Sequence, residues 1–201
     1  MSDIDSYQTI ADPSYGEFKS KGSKFKAYAF SVKSKESFSR QLQLIKSNEK
    51  GANHSCWAYR IGTKTPLVNS NDDGEPRNTA GAPILRAIER QNLCNTACVV
   101  VRHFGGTKLG TRGLIEAYSQ AATNALNNGE VITEFTWVNA VVSAKYEHVG
   151  LLERVIKHDC IVVNERKQNT SLDYYILVRE SYLEKLEKHV QENHLIDFYL
   201  I

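Results

Sequence analysis

The 201-residue chain is 41% hydrophobic and 24% charged with a formal net charge of +2, the profile of a folded globular protein and not of a disordered or fibrous one. Its apolar runs, such as residues 97–101, fall far short of the ~20 residues needed to span a bilayer, and its opening residues lack the basic start and apolar stretch of a secretory signal, so no membrane partner is expected. Four cysteines, Cys56, Cys94, Cys98 and Cys160, form no CxxC pair and no zinc spacing, and read as reduced thiols in a cytoplasmic protein.

Charge is unevenly spread. Residues 1–130 hold 17 Lys and Arg against 12 Asp and Glu, a balance of +5, whereas residues 131–201 hold 8 against 11, a balance of −3. Within the first part, residues 19–50 carry 9 basic and 2 acidic side chains, a local +7 that would attract phosphates or an acidic protein face, or else form a solvated basic surface.

In chain order, residues 24–32 (KFKAYAFSV) read as a strand, and Phe38, Leu42 and Ile45 recur at helical spacing from a start near Ser37. His54–Ile61 alternates as a half-buried strand. A charged loop at 69–81 (NSNDDGEPRNTAG) leads to a helix carrying Pro83 in its first turn, with Thr79 as the expected cap. Residues 96–101 are almost wholly apolar, a central strand covered on both faces. The segment 103–113 (HFGGTKLGTRG) follows, then a helix with Leu114, Tyr118, Ala121 and Ala125 on one face, ended near 127–129.

From Thr136 the pattern restarts. Val138, Ala140, Val142 and Ala144 alternate on a strand, and Val149, Leu152 and Val155 mark a helix. Residues 161–163 and 172–178 pair across the polar hairpin ERKQNTS, Ser181 with Glu184 has the form of a capping box opening a second helix, and residues 195–201 form a last strand. This order is the ferredoxin-like βαββαβ plan. The expected architecture is α+β in two domains, 1–130 and 135–201.

Chemistry concentrates at two places. Gly105, Gly106, Gly110 and Gly113 lie between a buried strand and a helix, where backbone amides and a helix N-terminus can make an anion site that Lys108 and Arg112 would reinforce. The alternative is a loop bent only for packing. Neither the Walker A loop nor the GxGxxG fingerprint is present, so nucleotide hydrolysis is not indicated and no cofactor is expected. Asp72, Asp73 and Glu75 put three carboxylates within four residues, but not at the spacing of a calcium loop; an acidic turn shaped by Gly74 and Pro76 is the competing reading, and no metal site is expected. His54 and His103 flank strands and could serve as bases, yet no nucleophile completes a set and no catalytic residue is assigned.

The segments KGSKFKAYAF, HSCWAYRI, NDDGEPRNTAGAPIL and VVVRHFGGTKLGTRGLIEAYSQA, over about residues 19–122, resemble the successive signature blocks of the IMPACT/YigZ family. The resemblance implies a first domain like the second domain of a small-subunit ribosomal protein and a second like domain V of elongation factor G, as in bacterial-type members. Eukaryotic members restrain the amino-acid-starvation kinase by competing for its ribosome-associated activator; bacterial members have no settled function. The family commonly has glycine where Arg112 stands and often Ser-Gly where Arg77 and Asn78 stand, which adds bulk and charge here.

The expectation is therefore a non-enzymatic protein of translation that binds RNA, the ribosome or a translation factor. Its surface would be made by Asp72, Asp73, Glu75, Arg102, Gly105, Gly106, Lys108, Gly110, Arg112 and Gly113. The alternative is an enzyme acting on a phosphorylated small molecule, with or without a divalent metal. Neither the ligand nor the oligomeric state is legible in the sequence.

Overall fold

The structure, a computed structural model, describes residues 5–201. It divides into two compact units, one formed by residues 7–134 and the other by residues 5–6 with 135–201.

The first unit is built on strands β2 (Ser14–Ser20), β3 (Ser23–Ser31), β4 (His54–Ile61), β5 (Leu67–Asn71) and β6 (Thr96–His103), and on helices α1 (Lys35–Asn48), α2 (Gly81–Arg90) and α3 (Gly110–Asn128). The sheet runs β2-β3-β6-β4-β5, antiparallel throughout. Two further strands, β1 (Ser6–Ile10) and β7 (Val131–Phe135), pair as a separate ribbon.

β6 sits at the centre because both its faces are covered. Cys98 and Val100 point into a core with Ile84 and Ile88 of α2 and Leu114, Tyr118 and Ala121 of α3, while Ala97, Val99 and Val101 join Phe38 and Ile45 of α1. The same alternation carries Arg102 to the α2/α3 face and His103 to the α1 face. α1 begins earlier than its apolar spacing suggests: Ser34 is the cap and pairs reciprocally with Ser37.

The second unit contains β8 (Trp137–Ala144), α4 (Val149–Ile156), β9 (Ile161–Gln168), β10 (Leu172–Arg179), α5 (Leu183–Gln191) and β11 (Ile196–Leu200), with sheet order β11-β8-β10-β9. This is the ferredoxin-like arrangement. Ala140, Val142, Ile176 and Val178 line the face that packs on Leu152 and Val155 of α4 and Leu186 and Val190 of α5.

Two local expectations are corrected here. The polar residues 165–168 belong to β9 and do not form the hairpin loop, because their backbone continues the ladder with β10. Ser181 does not cap α5: it lies in a 3-10 turn, and its amide donates to Asp5 Oδ2 at 2.9 Å. Asp5 also takes the Arg179 guanidinium at 2.9 Å and is itself buried. Burial works to raise this acid, but the bonds from Arg179 and Ser181 outweigh it and hold it at about 2.

Candidate functional site

The loop between β5 and α2 is organised by its first carboxylate. Asp72 Oδ1 accepts the amides of Ala80 and Gly81 at 3.0 and 2.8 Å, and Oδ2 accepts that of Asn78 at 2.8 Å. Asp72 thus caps α2 from eight residues away, in place of Thr79, whose hydroxyl turns back to the Pro76 carbonyl at 2.6 Å. Asp73 Oδ2 accepts the Ser55 amide at 2.7 Å and its Oδ1 meets Lys46 at 3.4 Å. Both aspartates shape the loop, and the fold they impose turns Glu75 inward until its side chain is 4% exposed.

A buried carboxylate needs partners. Arg102, delivered to this face by the alternation of β6, donates to Glu75 Oε1 at 2.6 Å, and the Tyr118 hydroxyl from α3 donates to the same oxygen at 2.8 Å. His54 Nε2 lies 3.9 Å from it. Arg102 is sandwiched between rings, its Cζ 5.4 Å from the Phe25 centroid and 5.3 Å from that of Phe104, and its Nε has no hydrogen-bond partner among the described residues. Beneath, burial pushes the Cys56 thiol up to about 12 and drives the Tyr118 phenol far above its usual value, so both stay neutral.

The glycine loop completes the site, and its glycines do different work. A Cβ on Gly105 would stand 1.8 Å from the Gly22 carbonyl carbon, so this position serves a close approach of two backbones. Gly106 and Gly110 have open space around them but adopt φ of +85° and +73°, a conformation that side chains disfavour. α3 therefore opens at Gly110 with no side-chain hydrogen bond from its cap residue Leu109, and the amides of its first turn lack intrahelical partners.

Between this helix start and the Glu75 cluster lies a cavity of about 510 Å³. Its polar wall is Asn53, His54, Glu75, Arg102, Lys108 and Thr111; its apolar wall is Pro76, Phe104, Leu109 and Leu114. Of the residues singled out from the sequence, His54, Glu75, Arg102, Lys108 and Gly110 converge here. Asp72, Asp73, Gly105, Gly106, Arg112 and Gly113 do not line the cavity. His103 turns to the opposite face of the sheet, 3.1 Å from Glu49. Sequence reasoning passed over Asn53, whose Oδ1 accepts the Phe104 amide at 2.8 Å, and Leu114 as a wall residue. Phe104 offered a signal, an aromatic beside a glycine pair just past a buried strand. Among the described residues, no group of three or more His, Cys, Asp or Glu could hold a metal ion, and no helix is long and apolar enough to cross a membrane.

Residues 21–126, which hold every residue of this cavity, match the Impact N-terminal domain. The chain belongs to the IMPACT family. Over 177 residues it is 31% identical to IMPACT family member YvyE of Bacillus subtilis, covering 88% of this chain and 82% of that one. It is 40% identical over 114 residues to an IMPACT family member of Thermus thermophilus (57% and 62% of the two chains) and 36% identical over 107 residues to the IMPACT homologue of Saccharomyces cerevisiae (51% and 39%), so it spans less than two thirds of these latter relatives. The two-unit fold of this IMPACT-family chain recurs across 98% of both chains in a solved structure described as a hypothetical protein, with a TM-score of 0.75 and 20% identity.

Proposed function

We propose that this IMPACT-family chain is a non-enzymatic, cytoplasmic protein of translation that binds single-stranded RNA in the cavity at the start of α3. The observation that carries the reading is the helix start itself. The first-turn amides of α3, without a side-chain cap, open beside Lys108, and a helix N-terminus with a cation next to it favours a phosphate. Arg102 balances Glu75, so the carboxylate does not cancel that preference. Phe104, 45% exposed, offers a ring on which a base can stack. The family resemblance supplies the translation setting.

Fluorescence anisotropy with a labelled single-stranded RNA tests this. Affinity should fall steeply as salt rises, and Lys108→Ala should weaken binding and lower the salt dependence. Binding that ignores both salt and Lys108 would refute the reading, and cofractionation with ribosomes would locate the partner RNA.

A second reading, an enzyme acting on a phosphorylated small molecule, draws on Glu75 and His54 in the cavity wall, with Tyr118 buried behind Glu75. Turnover of such a compound that is abolished in Glu75→Gln would establish it.

A further inference from the structure

We propose that the floor of this cavity selects guanine, so that RNA held at α3 inserts an unstacked guanine against Glu75 and His54; the proposal rests on the RNA reading above. Among the described residues, every hydrogen bond to the Glu75 side chain falls on Oε1, from Arg102 at 2.6 Å and Tyr118 at 2.8 Å. Oε2 receives none, although the side chain is only 4% exposed and forms part of the cavity wall. Among the described residues Arg102 Nε alone is a buried side-chain atom without a partner, so Oε2 is reached from the cavity and can accept from a donor on whatever enters.

His54 supplies a second acceptor. Its Nδ1 lies 2.8 Å from the Asp73 carbonyl, which can only accept, so Nδ1 carries a proton, and in that neutral tautomer Nε2 presents a lone pair. That nitrogen is 3.9 Å from Glu75 Oε1, the other oxygen of the same carboxylate. Two neighbouring acceptors match a ligand edge with two neighbouring N–H donors. Among the four RNA bases, guanine alone has such a Watson–Crick edge, N1–H beside the N2 amino group. Adenine and cytosine place one amino group beside a ring acceptor, and uracil has one N–H between two carbonyls.

The rest of the cavity suits the same guest. The exposed Phe104 ring offers a stacking surface for a purine, and the nucleotide's phosphate then has Lys108 and the first turn of α3. A volume of about 510 Å³ lies within the range of small-ligand sites.

The test uses the full chain and short uridine-rich RNAs that differ at one central position: guanosine, inosine, adenosine or uridine. Guanosine should bind about 5- to 100-fold tighter than adenosine, the span expected for a paired donor edge. Inosine, which lacks only the N2 amino group, should fall between them. In Glu75→Gln the guanosine-to-adenosine ratio should drop to near one. Because that substitution could disturb Arg102, the comparison of guanosine with inosine on the unaltered protein stands independently. Equal affinity for all four RNAs overturns guanine selection and leaves the RNA reading standing; no binding of any of them overturns both.

Discussion

Replacing Asp5 with Asn keeps the shape of a side chain buried against Arg179 and removes its charge. In the folded protein this acid sits at about 2 instead of its ordinary 3.8, because the bonds from Arg179 and Ser181 outweigh the cost of burial. That difference corresponds to about 2 kcal/mol of stabilisation of the second unit while Asp5 is ionised. A depressed acid stabilises fully above its unfolded value, so the deficit of Asp5→Asn should be constant from neutral pH down to about 5, shrink as pH falls below 3.8 and vanish below about 2. Trp137 lies in the second unit and Trp57 in the first; in a Trp57→Phe background, urea titrations followed by indole fluorescence report on the second unit alone. If Asp5→Asn unfolds at the same urea concentration as its parent at pH 6, or if its deficit persists unchanged at pH 2, the role assigned to this ion pair is wrong.

The glycine loop and the acidic loop give three further expectations. Gly105→Ala, which drives a Cβ into the Gly22 backbone, should lower the melting temperature of the first unit far more than Gly106→Ala, where only the +85° backbone angle costs, by about 1–2 kcal/mol. Because Lys108 lines the cavity and Arg112 does not, Lys108→Ala should flatten the slope of log affinity against log salt by roughly 0.7, the value for one phosphate on a single strand, and Arg112→Ala should change it less. Asp72→Asn confronts three backbone amides with a side chain that accepts through one atom only. It should cost about 1–3 kcal/mol in denaturant unfolding, and magnesium should not alter the melting temperature of either protein.

The buried strands were legible because their sequences are repetitive in a way that solvent does not permit: β6 is apolar on both faces, and β4 and β8 alternate. β2 and β5 were not. Their residues, SYGEFKS and LVNSN, are largely polar because each lies at a sheet edge, and a strand whose side chains meet water leaves little periodic trace. In the site, the glycines announced a special loop without telling which of them serves packing and which serves backbone angle, since that depends on Gly22, 83 positions away. The three carboxylates of 72–75 looked alike in sequence; only the folded loop separates Asp72 and Asp73, spent on backbone amides, from Glu75, which faces Arg102 across a separation of 27 residues.

The pairing of Asp5 with Arg179 also sets an order of events during synthesis. The two residues are 174 positions apart, and residues 7–134 form a self-contained unit threaded between them. At ordinary elongation rates of about 5–20 residues per second, Asp5 waits on the order of ten to thirty seconds for its partner. The intervening unit can fold as soon as its last strand, β7, has emerged, and its two ends lie side by side in the β1–β7 ribbon. Residues 7–134 therefore begin and end on two paired strands, β1 and β7.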